Sequence, residues 1–135
     1  MKPNIDKLKQ KKDVEGLINA LEYRKDSVKD EHVVVREQAA EALGKIGGKK
    51  AVEPLIKALQ GKAWDVQYDA IEALGSIGDR RAIKPIKQLV IETDKERVRG
   101  RGMIVLDEVF NLSTTELKKV FLKSKASIEA KQQLM

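Results

Sequence analysis

Along residues 35–59 the apolar positions fall into two short stripes at helical spacing. Val35, Ala39, Ala42, Leu43 and Ile46 form the first and Val52, Leu55, Ile56 and Leu59 the second, with the polar stretch Gly47-Gly48-Lys49-Lys50 between them. Spacings of three and four residues put each stripe on one face of a helix. The pattern then returns. Aligning Val35 with Val66 pairs 25 residues as far as Leu59 and Val90, and 10 of them are identical, among them Leu43/Leu74, Gly44/Gly75 and Pro54/Pro85. A period of 31 residues marks units that stack, because a helical hairpin cannot bury both its stripes alone.

The residues between the stripes predict how each hairpin turns. Gly47 and Gly78 are placed to take the left-handed conformation that ends a first helix, and Asp79 to cap the next element. Gly44 and Gly75 sit inside the first helices, where glycine costs about 1 kcal/mol relative to alanine, so a neighbouring helix is expected to press closely there. Pro54 and Pro85 fit the first turn of the second helices, where a missing N–H does no harm.

Fainter copies flank the pair. Val14, Leu17, Ile18, Ala20 and Leu21 repeat the second stripe at an offset of 38, which leaves a longer connection over residues 23–32. Val98, Gly102, Leu106 and Val109 repeat the first stripe downstream, opened by Thr93 and Glu96 at capping-box spacing. Ser113 and Glu116 have the same spacing, so a further helix is expected from Thr114 with Leu117, Val120 and Phe121 inward and "ASIEAKQQLM" extending or following it. The expected fold class is all-α: an α-solenoid, or superhelix, of stacked antiparallel helix pairs with about seven or eight helices. Residues 1–135 read as a single repeat domain, with an N-terminal cap over 1–30, repeats over 31–61 and 62–92, and a degenerate C-terminal repeat over 93–135.

Composition adds limits. One Trp, two Tyr and two Phe leave the core to Leu, Ile, Val and Ala, and the absence of cysteine removes disulfides, thiolate metal sites and cysteine nucleophiles. No apolar run approaches the roughly 18 residues of a membrane span, and the start has no apolar leader, so a cytoplasmic chain without membrane contact is expected. The formal net charge is +6. It is spread rather than concentrated: residues 1–30 carry 8 basic and 6 acidic side chains, and 93–135 carry 9 and 6. A mixed, solvating surface follows more directly from this than a single basic patch.

The lines "VREQAAEALGKIGGKKAVEPLIKAL" and "VQYDAIEALGSIGDRRAIKPIKQL" resemble HEAT-like repeats of the type named after phycobilisome lyases, over residues 35–92 and more faintly over 13–34 and 93–125. The resemblance implies a solenoid whose second helices line a concave side that holds another macromolecule, and it implies no single activity. Hydroxylases with similar repeats hold iron through His-Glu pairs, and "VREQAAEAL", "VQYDAIEAL" and "VRGRGMIVL" contain none; the single His32 falls in the long connection, where it reads as a solvated side chain. Bilin lyases need an apolar or aromatic pocket, for which Trp64, Tyr68 and Tyr23 are the only amphipathic aromatics. No cofactor and no catalytic residue follows from these residues. Some DNA glycosylases with similar repeats use a basic concave face, so nucleic acid stays open as an alternative partner.

If the second helices line the concave side, their outward residues form rows across the stack. Lys12, Lys50 and Arg81 make a basic row, and Glu15, Glu53 and Lys84 a mixed one. Lys50, Lys57, Arg81, Lys84 and Gln88 are therefore the candidate partner-binding residues of a non-catalytic scaffold or adaptor for a protein or peptide with an acidic strip. A nucleic-acid binder is the alternative reading and a bilin-lyase-like accessory protein the third; the chain itself can be a monomer or half of a homodimer. Arg36 and Arg99 follow matching valines and read as a structural ladder toward acidic groups of neighbouring units, interrupted by Gln67. "KERVRGRG" over 95–102 reads as a solvated helix start.

Overall fold

The computed structural model describes residues 1–135 and contains eight α-helices and no strand. They are α1 (Ile5–Gln10), α2 (Val14–Leu21), α3 (Asp30–Ile46), α4 (Val52–Ala58), α5 (Trp64–Ile77), α6 (Ile83–Glu92), α7 (Glu96–Glu108) and α8 (Thr114–Gln133). Short 3-10 turns over Gly48–Ala51 and Arg80–Ala82 lead into α4 and α6. The chain is an α-solenoid of antiparallel pairs: α3, α5 and α7 stack side by side as one layer, while α2 touches α4 and α6 touches α8 in the other. One continuous cluster of buried apolar side chains runs through both layers from Ile5 to Val120.

The first-helix layer depends on small residues. A Cβ added at Gly44 would lie 2.8 Å from the Cα and 2.9 Å from the Cβ of Ala73, so α3 and α5 meet almost backbone to backbone at this point. One repeat later the equivalent Gly75 faces the Val105 side chain of α7 at 3.2 Å. Leu43 and Leu74, one residue before each glycine, are fully buried. Glycine is therefore retained inside two helices for packing.

The turns depart from the sequence reading in one copy. Gly78 has φ 73° and closes α5 as expected, but Gly47 is right-handed at φ −78°, and it is Gly48 that takes the positive angle, 55°. Gly47 is buried with a Cβ position that would collide with Ala51, so packing has moved the turn by one residue. Asp79 caps the 3-10 turn before α6, accepting a hydrogen bond from the Arg81 backbone N–H. Pro54 and Pro85 each occupy the third position of their helix.

Two capping boxes were expected and one forms. Ser113 and Glu116 exchange both hydrogen bonds at the start of α8. Thr93 instead bonds the Lys95 N–H at 3.1 Å, which delays α7 to Glu96. Helix α8 is a single 20-residue element that lies mainly on α6 and barely touches α7. That placement buries Val120 and Ser124 but leaves Phe121 56% exposed, against the expectation that Phe121 faces inward.

The Gly44 contact yields a paired test. Gly44→Ala is expected to lower the unfolding free energy by about 1–2 kcal/mol, since overpacking outweighs the gain in helix propensity. Gly100→Ala in α7, where an added Cβ meets nothing within 4 Å, should raise it by about 0.5–1 kcal/mol. Urea denaturation of the two variants checks the opposite signs.

Candidate functional site

Each connection between repeats leaves backbone carbonyls near the start of the next first helix, and three matching positions serve them. Arg36 is 3% exposed and donates to the carbonyls of Lys25 and Ser27. Gln67 donates to the carbonyls of Leu59 and Gly61 at 3.1 and 2.9 Å, and Arg99 to that of Thr93 at 3.5 Å. The ladder is real, but its acceptors are loop carbonyls rather than carboxylates, and Gln67 continues it instead of breaking it. The connection before Arg36, between Leu21 and Asp30, is the longest of the three. Burial lowers its pKa, opposed by the charge of Asp26.

His32 also differs from its expected place. It lies in the first turn of α3, its Nδ1 is 2.7 Å from Ser27 Oγ, and Tyr23 meets its ring edge-on at 5.6 Å. Together these side chains brace the long α2–α3 connection against the helix it enters.

On the second-helix face the largest cavity, about 680 Å³, runs along α6 between the end of α4 and the end of α8. Ile56, Leu59, Trp64 and Leu89 supply apolar wall, and Lys62, Lys84, Lys95 and Lys131 supply cations. A second cavity of about 410 Å³ shares Ile56 and Gln60 with it and extends across α4 to Ile18 of α2 and to Glu22, which follows that helix. Together they form a trough across three second helices.

Only part of the predicted set lies in this trough. Lys84 and Gln88 line the large cavity, with Gln88 donating to Glu92. Lys57 lines the smaller one and is paired with Glu22 of the preceding repeat at 3.4 Å. Lys50 and Arg81 stand apart on the 3-10 turns and line neither cavity. Arg81 is held by Asp79 at 3.0 Å and by Glu53 at 3.4 Å. Its side-chain and backbone hydrogen bonds hold the Asp79 carboxyl at a pKa of about 2. Two rows that looked separate in sequence are thus joined by the Arg81–Glu53 pair, which neutralises part of the basic edge.

The structure adds residues that the rows did not contain. Lys62 and Lys95 come from the inter-repeat connections and Lys131 from α8, none of them in a position repeated between units. Lys62, Lys84 and Lys95 enter no ion pair. Trp64, expected to cover the end of the core, does so on one side and opens to the trough on the other. Arg97 lies 5.8 Å from its ring centroid and 5.3 Å from that of Tyr68. Arg101 bonds the Tyr68 hydroxyl and pairs with Glu72 at 2.8 Å. Two arginines of the segment read as a solvated helix start are therefore fastened to α5 through aromatic faces.

The first-helix layer has the opposite electrostatic character. Burial, and then the charges of Glu37, Glu41, Glu72 and Asp65, raise the pKa of half-buried Asp69 to about 6. Burial and the neighbouring Asp65 and Asp30 raise Glu37 as well. No helix of the protein is long and apolar enough to cross a membrane.

A sequence model described as HEAT repeats matches residues 14–107, which is more than half of the chain. No curated protein matches it at a significant level.

A carboxyl whose folded pKa is raised costs stability once it ionises, because the unfolded chain then gives up its proton more readily than the folded one. As pH rises from about 4 to about 6, Asp69 should therefore lower the melting temperature. Asp69→Asn is expected to remove most of that slope and to melt higher than the parent at pH 7, with the two converging below pH 4. Thermal denaturation followed by circular dichroism across this range reads the difference.

Proposed function

We propose that this chain, which belongs to the HEAT-repeat family, is a non-catalytic scaffold or adaptor that holds a protein or peptide with an acidic strip on its second-helix, concave face. The observation that carries the reading is the trough over α2, α4 and α6, whose apolar wall is edged by the unpaired lysines Lys62, Lys84 and Lys95. Cations with no internal partner keep their full charge for an incoming one, whereas Arg81 has already spent much of its charge on Asp79 and Glu53. Lys84 and Gln88 are then the inner contacts among the residues singled out from the sequence, Lys57 a contact that exchanges Glu22 for the partner, and Lys50 and Arg81 rim positions.

HEAT repeats suit this use because the stack spends its apolar stripes on itself. The outward residues of the second helices are left free to vary without loss of the core. The repeat alone does not select a protein over a polyanion. Glu92 and Asp94 on the lip interrupt the run of lysines, which suits acidic side chains that can be spaced around them better than the fixed charge spacing of a phosphate backbone.

The test uses the sole tryptophan of the chain, Trp64, as its reporter. A labelled peptide rich in Asp and Glu with interspersed Leu and Phe should shift Trp64 emission, bind more weakly as salt rises, and lose at least about tenfold in affinity to Lys62→Glu with Lys84→Glu, equivalent to about 1.4 kcal/mol. Lys50→Glu with Arg81→Glu should cost less. Equal binding by the Lys62/Lys84 variant would remove the trough from the reading. Tighter binding of duplex or single-stranded nucleic acid at about 50 mM salt would replace the peptide by nucleic acid. A coloured complex with a bilin would point to the lyase-like role instead.

A further inference from the structure

We infer that two copies of this chain pair through their C-terminal helices, α8 of each copy lying across the open side of α7 of the other. The repeat itself points to this surface. Each earlier second helix grips the first helix of the next pair: α2 rests on α3, α4 on α5 and α6 on α7. Leu59, which follows α4, and Val90 of α6 occupy matching positions 31 residues apart, and both are buried. Val90 sits over Gly102 of α7, where an added Cβ would collide with it. The next position in the series is Phe121 of α8, which is 56% exposed, with Leu122 beside it 62% exposed. Helix α8 therefore keeps the large apolar side chain of a gripping helix and has no first helix against it.

Helix α7 offers the other half of the contact. The side of α5 that meets α7 carries Trp64, Tyr68, Glu72 and Gly75, which face Arg97, Arg101 and Val105. The same positions on α7, 32 residues on, are Glu96, Gly100, Ile104 and Asp107, all exposed. A Cβ at Gly100 would meet nothing within 4 Å, whereas those at Gly44, Gly75 and Gly102 would meet a neighbouring helix. The open side of α7 is thus a small-residue recess beside Ile104 with a carboxylate at either end.

Charge selects the occupant. Lys118 and Lys125 stand three residues before and four after Phe121, so the three share one face of α8. About 10 Å of helix axis separates the two lysines and about 16 Å separates Glu96 from Asp107, a difference that two lysine side chains span. None of these four charges enters an ion pair within the chain. A second copy supplies both halves at once. Its α8 brings cation, aromatic ring and cation to the carboxylate, recess and carboxylate of α7, and its own α7 receives the same from the first copy. A two-fold axis makes the two contacts identical. Helices α7 and α8, about 20 and 30 Å long and each about 10 Å across, present on the order of 500 Å² per copy, about 1,000 Å² for the pair, which is the lower limit of specific interfaces. The pair should accordingly be weak and concentration-dependent.

Sedimentation equilibrium of the full chain at low salt, from about 5 to 500 µM, should show a monomer–dimer equilibrium, and Phe121→Ser should weaken it at least about tenfold. Two charge-reversal variants separate pairing from folding: Lys118→Glu with Lys125→Glu, and Glu96→Lys with Asp107→Lys. Each alone is expected to stay helical by circular dichroism and to be monomeric, because like charges then meet in both contacts. Mixed in equal amounts the two should pair, since every contact regains opposite charges. A parent that is monomeric throughout the range overturns the inference, as does a dimer that persists in Phe121→Ser or a mixture of the two variants that fails to pair. Binding of a monomeric parent to vesicles of anionic phospholipid, lost in Lys118→Glu with Lys125→Glu, would give the patch to a lipid surface instead.

Discussion

The contact of Gly44 with the backbone of Ala73 sets the spacing of the whole stack. Neither helix of a pair can bury its stripe by itself, so the solenoid exists only insofar as α3, α5 and α7 lie against one another. Glycine and alanine at the crossing let α3 and α5 approach closely enough for Leu43 and Leu74 to be lost completely to solvent. From that spacing follows the position of each connection, and from the position of the connections follows the ladder of Arg36, Gln67 and Arg99. Those three side chains satisfy carbonyls that would otherwise be stranded where one repeat hands over to the next. The buried Arg36 guanidinium donates from both terminal nitrogens to loop carbonyls, while its Nε is left without a partner.

Much of this was legible before any coordinates. Ten identities at a fixed period name the core, because the same residue must solve the same packing problem in both units. Gly78 and the Ser113–Glu116 box were legible for a similar reason, each being a local geometry with its own residue types. What stayed hidden depended on partners that leave no mark in a side-chain pattern. Gln67 looks like a gap in an arginine ladder until the acceptors are seen to be carbonyls, which an amide serves as well as a guanidinium. Gly47 and Gly48 are indistinguishable in sequence, and only the buried packing of Gly47 against Ala51 decides which of them turns. Thr93 had the right spacing for a box and used its hydroxyl on Lys95 instead. Of the candidate site, the rows on the second helices recovered Lys57, Lys84 and Gln88. Lys62, Lys95 and Lys131 were out of reach because no row passes through a connection or through the irregular last helix.

The net charge of +6 conceals an uneven distribution between the two layers. Lys62, Lys84, Lys95 and Lys131 edge the trough of the second helices beside Glu92 and Asp94, while carboxylates crowd the first-helix layer closely enough to raise the pKa of half-buried Asp69 to about 6. Arg97 and Arg101, which belong to that layer, are consumed by Trp64, Tyr68 and Glu72. The basic segment from Lys95 to Arg101 therefore works as a fastening between α5 and α7, and only its first residue, Lys95, faces the trough. A count of charges by segment would assign the whole run one role.

Helix α8 is where the solenoid departs from its own rule, and the departure has a physical origin. The earlier second helices rest mainly on the first helix of the following repeat, α4 on α5 and α6 on α7, and only lightly on one another. Helix α8 instead lies along α6, with Val120 and Ser124 as its only buried side chains. Its apolar stripe is thin, since the next buried position after Val120, four residues on, is Ser124, and Phe121 is exposed. The consequence is that a 20-residue helix continues past the end of α6 and brings Lys131 to the lip of the trough. A more regular C-terminal repeat would have closed the stack with a better core. The degenerate one gives up part of that core and contributes a wall to the cavity beside it.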